Sequence, residues 1–568
     1  MKRILFIFLC TFLFIGNTFA QGPKWVTKAK KAVFSIITFD KENNILQRSN
    51  GFFISEDGVG VSDYQVFNGA HRAVIIDTNG KERPVYSILG ADDTYNVIKF
   101  KVDMSGKRTA KLDIYSTEIN VGTEVVVLPY SLSKDQACRP GVVRSVENIR
   151  DGFKFYSLDM RLSDDLISCP LMTTSGEVVG IMEKSEGRSI SDMLAHAVDV
   201  KFIDNLSINA MSFDDATLNA VHIRKGVPAD LGQALAYVLM MKDKLSKKDY
   251  SDLLVDFQAQ FPMSADGYFN RAYYFLENEK VSEDDLKQAS LEISKALSLK
   301  DPSSDVYFSA AKLIILASGL DIAKDKKGWK IEEAMELLDK AIELDPLPLY
   351  YQIKGDVYSA LEDWGNALAC YEKVNASNLA SAQTFFVTAQ LQERNGSSYD
   401  VVLASLDSCL ERVTKPYDVN SAVYLIERAR VREELGKFRD AVFDMNDYYF
   451  AVNGQVNDGF FYYREQIAVK AKMYQQALDD IATALKMNPD EMTYYSESAA
   501  LHLKIGRYKE AIEIADAMLS KDKLFAEAYR LKGIAQMQLK DKNSCDSFKK
   551  AQELGDPYVE ELIKKACK

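Results

Sequence analysis

The side chains best suited to covalent chemistry stand next to each other at Ser168-Cys169, in the run Asp165-Leu166-Ile167-Ser168-Cys169-Pro170-Leu171. A hydroxyl or thiol there could attack a carbonyl only if a neighbouring base took its proton, since the free side chain is a weak nucleophile near neutral pH. The base would come from His71, His196, His222 or His502, the 4 histidines of the chain. His71 follows the Gly69-Ala70 turn, and His196 sits in the apolar run Ala195-His196-Ala197-Val198, where a satisfied core or rim histidine is the plainer reading. Beyond Cys10 the cysteines are Cys138, Cys169, Cys370, Cys409, Cys545 and Cys567. None falls in a C-x-x-C or zinc-type spacing, so the sequence calls for no metal and no cofactor. Cys370 and Cys409 lie on apolar helical faces and read as buried thiols.

The elements that would position Ser168 read as strands. Between Lys24 and Leu206, apolar and polar residues alternate in β-branched runs such as Ala73-Val74-Ile75-Ile76 and Glu124-Val125-Val126-Val127-Leu128, separated by Gly, Asn and Asp turns. Within this stretch, Gly51-Phe52-Phe53-Ile54-Ser55-Glu56-Asp57-Gly58 and Val61-Ser62-Asp63-Tyr64-Gln65-Val66-Phe67-Asn68-Gly69-Ala70 resemble the first half of a trypsin-like serine protease domain of the bacterial periplasmic type. That family reads roughly G-F-F-I-S-x-D-G-x-V-x-T-N-x-H-V-V-x-G-A. Asn96-Val97-Ile98-Lys99-Phe100 resembles its D-L-A-V-L-K strand. Asp165 to Leu171, followed by Gly176-Glu177-Val178-Val179-Gly180-Ile181, aligns with G-N-S-G-G-P-L and G-E-V-V-G-I.

The resemblance implies a double β-barrel at residues 24–206 and places Gln65 on the general base, Asn96 on the orienting aspartate and Ile167 on the nucleophilic serine. Glutamine takes up no proton near pH 7, asparagine carries no charge to stabilise an imidazolium, and isoleucine has no nucleophile. Asp165 falls on the family's oxyanion glycine, where a carboxylate would repel the developing charge. The expectation is a protease fold without an enzyme: no catalytic residue, with Ser168 as the nucleophile only if the frame slips by one.

Met1 to Ala20 read as a secretory signal peptide, with Lys2-Arg3, an apolar run from Ile4 to Ile15, and Thr18-Phe19-Ala20 before Gln21. That run is shorter than the ~20 residues a bilayer span needs, so no membrane span is expected. Export to the periplasm or outside the cell follows, a setting that permits disulfides. Lys24, Lys28, Lys30 and Lys31 read as a solvated lead-in helix. The net charge of −12 argues against nucleic-acid partners.

Residues 207–228 read as a linker, and beyond them long amphipathic helices alternate with short turns. Ala477, Ala511 and Cys545 recur at intervals of 34 residues. Gly355-Asp356-Val357-Tyr358 leading to Asn366-Ala367-Leu368, Lys472-Met473-Tyr474-Gln475-Gln476-Ala477-Leu478, and Gly506-Arg507-Tyr508-Lys509-Glu510-Ala511-Ile512 all resemble tetratricopeptide repeats. About nine units are expected over residues 229–557, an all-α solenoid. The first is degenerate and the third carries an insertion near Asp321 to Trp329. Residues 558–568 form the solvent-facing cap that such arrays require. Cys545 and Cys567, on the last repeat and its cap, are the candidate disulfide.

Tyr351, Phe385, Phe461, Tyr495 and Tyr529 take one early position of the first helix and read as packing. Asp356, Arg430, Tyr462, Gln466 and Arg530 take inward positions and are the candidate partner-binding residues, alongside Gln352, Ile426 and Ile534. The lysine–asparagine pattern with which similar repeats clamp a C-terminal carboxylate is missing. The expected function is a scaffold for protein or peptide partners. An active endopeptidase using unconventional residues and a structural subunit of an envelope assembly are the alternatives, and the oligomeric state is open.

Overall fold

The computed structural model describes residues 24–133, 138–149, 152–183, 194–324 and 326–567. The expected signal peptide lies outside them. The chain divides into two compact units, one running to Pro302 and including Leu316–Trp329, the other comprising Ser303–Ile315 and Lys330–Lys568.

In the first unit β1 (Val33–Phe39), β2 (Ile45–Phe53), β3 (Val59–Asp63), β4 (Arg72–Ile76), β5 (Glu82–Asp92) and β6 (Val97–Val102) close a barrel in the order β1-β2-β3-β6-β5-β4. A second barrel closes as β10-β11-β12-β9-β8-β7, from β7 (Glu124–Val127), β8 (Arg139–Asn148), β9 (Lys154–Arg161), β10 (Pro170–Thr173), β11 (Val178–Glu183) and β12 (Leu194–Asp199). All pairings within the barrels are antiparallel, so each strand turns one face inward. Gly51 is required where β1, β2 and β3 crowd: a Cβ there would lie 2.6 Å from both the Phe34 ring and the Val61 carbonyl. The lead-in helix Lys24–Ala29 buries Val26 and Ala29 against Leu128 and Val178, and its Trp25 indole donates to the Thr174 carbonyl at 3.0 Å.

The stretch 207–228 is no linker. It carries the short helices Ala210–Asp214 and Ala216–Asn219 and buries Ile208, Leu218, Val221 and Ile223 in the same core as Phe34, Phe67 and Phe100. Tyr237, Leu253 and Phe257 of the next two helices join that core. The reason is physical. The first helix pair has no preceding repeat, so it covers its apolar face with the first barrel, and the boundary expected near residue 229 has no counterpart in packing. Tyr86 donates to Asp256 at 2.5 Å, and Arg224 pairs with Asp256 while covering the Tyr86 ring.

From Leu231–Met241 to Ser544–Glu553 the described residues form one α-helix after another, and successive helices such as Ala265–Leu276 with Glu283–Leu297 and Pro348–Ala360 with Trp364–Asn375 pack as pairs. A short 3-10 turn, Asp321–Ala323, falls in the chain between Ser304–Ser318 and Ile331–Leu344, and the helix Glu560–Ala566 follows Ser544–Glu553. In the second unit six first helices are 13 residues long: Pro348–Ala360, Ala382–Arg394, Ala422–Glu434, Asp458–Lys470, Met492–Lys504 and Ala526–Gln538. Their eighth residues face the second helix of the pair, where space is short. At Gly533 a Cβ would meet the Phe548 ring at 2.7 Å. Gly355, Ala389, Ala429, Ala499 and Gly533 hold this position in five of the six, and Glu465 holds it in the other. Tyr350 and Tyr494, each one residue before an aromatic of the early position, are buried and donate to Asp305 at 2.6 Å and Asp458 at 2.9 Å, which ties each helix to the preceding repeat.

Cys370 and Cys409 are buried free thiols. Cys545 and Cys567 are joined, with their Cα atoms 5.1 Å apart. Titrating thiols on the denatured, unreduced protein from an oxidising compartment is expected to find Cys138, Cys169, Cys370 and Cys409 free. Free thiols at Cys545 and Cys567 would reject the tether.

Candidate functional site

The residues singled out around Ser168 converge where the two barrels meet. β3 ends at Asp63, whose carboxylate accepts from the Val66 amide at 3.4 Å and so starts the tight turn Tyr64–Val66. Gln65 is exposed on that turn, and its backbone amide donates to Asn96 Oδ1 at 3.0 Å. Asn96 has φ 52 and accepts from the Tyr64 amide through its carbonyl at 3.1 Å. Its side-chain oxygen thus serves the backbone of Gln65, not the glutamine side chain.

Opposite lies the turn Asp164–Leu166. The Leu166 amide donates to the Ser163 carbonyl at 2.9 Å, the Ile167 amide to the Asp164 carbonyl at 3.4 Å, and the Cys169 amide to the Leu166 carbonyl at 3.2 Å. Asn50 Nδ2 donates to the carbonyls of Ile167 and Asp165, at 3.1 and 3.3 Å, fastening this turn to β2. Asp165 is exposed and accepts from Ser163 Oγ at 2.5 Å, and the Ile167 side chain is half-buried.

Ser168 is fully buried at φ 58, in the left-handed region that suits glycine. It stands on the first glycine after the nucleophile in the aligned family pattern. Its hydroxyl shares a 2.8 Å hydrogen bond with Ser49 and donates to Asp63 Oδ2 at 3.3 Å. The Cys169 thiol is buried, donates to the Asp165 carbonyl at 3.4 Å, and is pushed up to about 12 by burial.

The histidines are placed elsewhere. The His71 and His222 rings meet at a tilt with centroids 4.2 Å apart, and burial together with the His71 charge lowers His222. His196 meets Ser157 Oγ at 3.2 Å and stacks on Phe155. His502 contacts the Ser498 carbonyl at 2.8 Å in the second unit.

Two carboxyls of the barrels, Asp63 and Glu183, act on each other electrostatically. Asp63 is raised, first by burial, against the hydrogen bonds from Val66, Gln65, Ser168 and Asn96. Glu183, at the end of β11, is raised to about 8 by burial and by the charge of Asp63. Each buried carboxyl disfavours ionisation of a like-charged neighbour, and Asp63 does so for Glu183. Sequence reasoning missed Ser49, Asn50, Asp63 and Glu183. One signal was available, because Asp63 puts an acid where the family pattern has asparagine. Among the described residues no three His, Cys, Asp or Glu side chains are placed to hold a metal ion.

The candidate partner-binding residues of the second unit are answered internally. Arg430 pairs with Glu393 and Glu427, both at 2.6 Å, and Arg530 pairs with Asp556 at 2.8 Å and Glu527 at 2.5 Å. Asp356 accepts from the Tyr371 hydroxyl at 2.5 Å. Tyr462 packs against Tyr494 with centroids 5.0 Å apart and receives a hydrogen bond from Gln466. The two arginines and Asp356 are therefore poor free ligands. Their spacing marks a helix face, but the arginines find counter-charges one turn back on their own helices, at Glu427 and Glu527, and beyond them at Glu393 and Asp556.

Comparison with known proteins matches the same two regions. The family model described as Tetratricopeptide repeat matches residues 466–528. The fold is a trypsin-like double barrel followed by tetratricopeptide repeats. The protein named Probable periplasmic serine endoprotease DegP-like, from Halomonas elongata, is 28% identical over 143 residues, 25% of this chain and 30% of its own length. The TPR repeat-containing protein MJ1428 of Methanocaldococcus jannaschii is 26% identical over 191 residues, 32% of each chain. Serine protease HTRA1 of Xenopus laevis is 26% identical over 156 residues, 26% of this chain and 34% of its own. The chain thus spans about a third of the length of these relatives. No helix among the described residues is long and apolar enough to cross a membrane.

Proposed function

We propose that this chain is an exported, non-catalytic scaffold that holds protein or peptide partners through its repeats and keeps a protease-like domain without protease chemistry. The observation that carries the reading is the turn at Ile167. The position aligned with the nucleophile presents an aliphatic side chain, and its amide closes on Asp164 rather than pointing at an incoming oxyanion. Gln65 and Asn96 meet through a backbone amide, which leaves no proton relay. Ser168 is sealed inside by Ser49 and Asp63, which opposes its use in a slipped frame. Export is supported by the leader-like pattern of residues 1–20, by the similarity to the periplasmic Halomonas relative and by the bond between Cys545 and Cys567. Repeat arrays of this kind offer extended surfaces for protein ligands.

The full-length protein is expected to show no labelling by a fluorophosphonate probe. Labelling that disappears in Ser168→Ala would overturn the non-catalytic reading. In affinity capture from its own cells, Gln352→Ala with Tyr462→Ala and Gln466→Ala should lose the partners with helical content unchanged. Gln65→Ala with Ile167→Ala should retain them. The reverse pattern would move the binding surface to the cleft between the barrels.

A further inference from the structure

Glu465 breaks a rule that the other repeats of the second unit keep. It is the eighth residue of Asp458–Lys470, the position held by Gly355, Ala389, Ala429, Ala499 and Gly533 in the equivalent helices. Those residues are small because the two helices of each pair come together there. Glu465 is nevertheless 1% exposed, and its Oε2 has no hydrogen-bond partner among the described residues. A buried carboxylate oxygen left unpaired costs far more when ionised than when protonated.

The groups around it do not neutralise it. From Tyr474–Met487 comes the buried Asp480, and from Met492–Lys504 come Glu497 and Lys504. Arg464, the adjacent residue, is committed to Asp480 through Nε at 2.9 Å and Nη2 at 2.5 Å, and to Asn446 at 3.0 Å. Helix Phe438–Ala451 presents Asn446 and the Tyr449 ring, and both meet Arg464. Two acids and one lysine therefore face a third acid. Glu497 is itself raised by burial and by Glu527 of the next repeat, so the negative charge continues along the array.

We infer that Glu465 makes the helix pair Asp458–Lys470 and Tyr474–Met487 a proton-gated joint: with the carboxyl neutral, the pair closes on itself and on Met492–Lys504, and its ionisation loosens both contacts. The direction follows from the environment. Burial first, then Glu497 and Asp480, raise Glu465 from 4.5 to about 7. The folded state therefore holds this proton more tightly than the unfolded chain. The stabilisation is full below the unfolded value near 4.5 and is lost as pH rises through about 7. The joint is firm in mild acid and slack above neutrality.

Hydrogen exchange on the full-length protein, corrected for the intrinsic pH dependence of exchange, reads this locally. Between about pH 5 and about pH 8, opening of peptides within 458–504 is expected to rise up to ~100-fold relative to peptides within 382–411. Glu465→Ala, which installs the residue of three equivalent helices, should flatten that difference, and Glu465→Gln should do the same if the amide is accommodated. Equal pH responses of the two regions in the wild type would overturn the inference. So would a response in 458–504 that survives Glu465→Ala, or one abolished by Glu497→Gln while Glu465→Ala leaves it intact.

Discussion

Restoring the three family residues together, as Gln65→His, Asn96→Asp and Ile167→Ser, is expected to give no measurable turnover of casein or of a peptide library. A triad is worth little without the donors that receive the oxyanion. Loss of one such donor costs ~10²–10³ in rate, and the residual ~10³–10⁴ left after triad damage depends on them. Here the Ile167 amide is turned into its own loop toward Asp164, and the exposed Asp165 carboxylate stands on the family's oxyanion glycine. Beneath the turn, Ser168 is bonded to Ser49 and Asp63, and Asn50 holds the carbonyls of Ile167 and Asp165, so the loop is fixed in this form from the other barrel. Adding Asp165→Gly and Ser168→Gly removes the opposing charge and two of the loop's anchors. Fluorophosphonate labelling should therefore appear in the five-residue variant before it appears in the triple one. Robust turnover by the triple variant would show that the turn reopens by itself.

The same bonds suggest why the site has this form. Ser49, Asn50 and Asp63 belong to the first barrel, and Ser168, Ile167 and Asp165 to the second. Every hydrogen bond among them crosses between barrels, at the place where a cleft would otherwise admit a peptide. On the non-catalytic reading proposed above, the polar latch uses the same turn that would otherwise carry the nucleophile.

How far this was legible in the sequence depends on the range of the interaction. The barrels could be read because Gly51-Phe52-Phe53 and Gly176 to Ile181 combine alternation with turn glycines at fixed intervals, and both signals are local. The packed stretch 207–228 could not. Ile208, Leu218, Val221 and Ile223 show no helical or strand period, since their burial is set by the barrel wall they cover. The repeats were plain from recurrence, and the same regularity gave the inward face of each first helix. What it concealed was charge satisfaction. Arg430 finds Glu393 at a separation of 37 residues and Arg530 finds Asp556 at 26, so neither pair lies within its own helix. Glu465 was visible in principle as an acid in a column of glycines and alanines, but only once the helix ends fixed the register.

Replacing Asp480 with alanine is expected to destabilise the second unit by about 3 kcal/mol, the range found when one partner of a buried ion pair is removed. Arg464 and Asp480 have side chains only 10% and 4% exposed and are joined by two hydrogen bonds. The pair repeats the Arg428–Asp444 pair of the preceding repeat, with the same separation of 16 residues. Asp444 is shared by Arg428 and Arg432, and both also reach Asp407, so charge there is spread over several partners. Arg464 keeps only Asn446 and the faces of Tyr449, Phe460 and Phe461 once Asp480 is gone. A cation left in that setting bears most of its desolvation cost unrelieved. The pair itself is no large net source of stability, because burial raises Asp480 despite Arg464 beside it. Arg464→Met combined with Asp480→Leu should therefore be much less harmful than Asp480→Ala alone. Urea unfolding of the wild type, both single variants and the double variant, all at one pH, measures the coupling. If Asp480→Ala costs no more than a surface ion pair, below ~1 kcal/mol, water reaches Arg464 and the buried pair does not hold this repeat together.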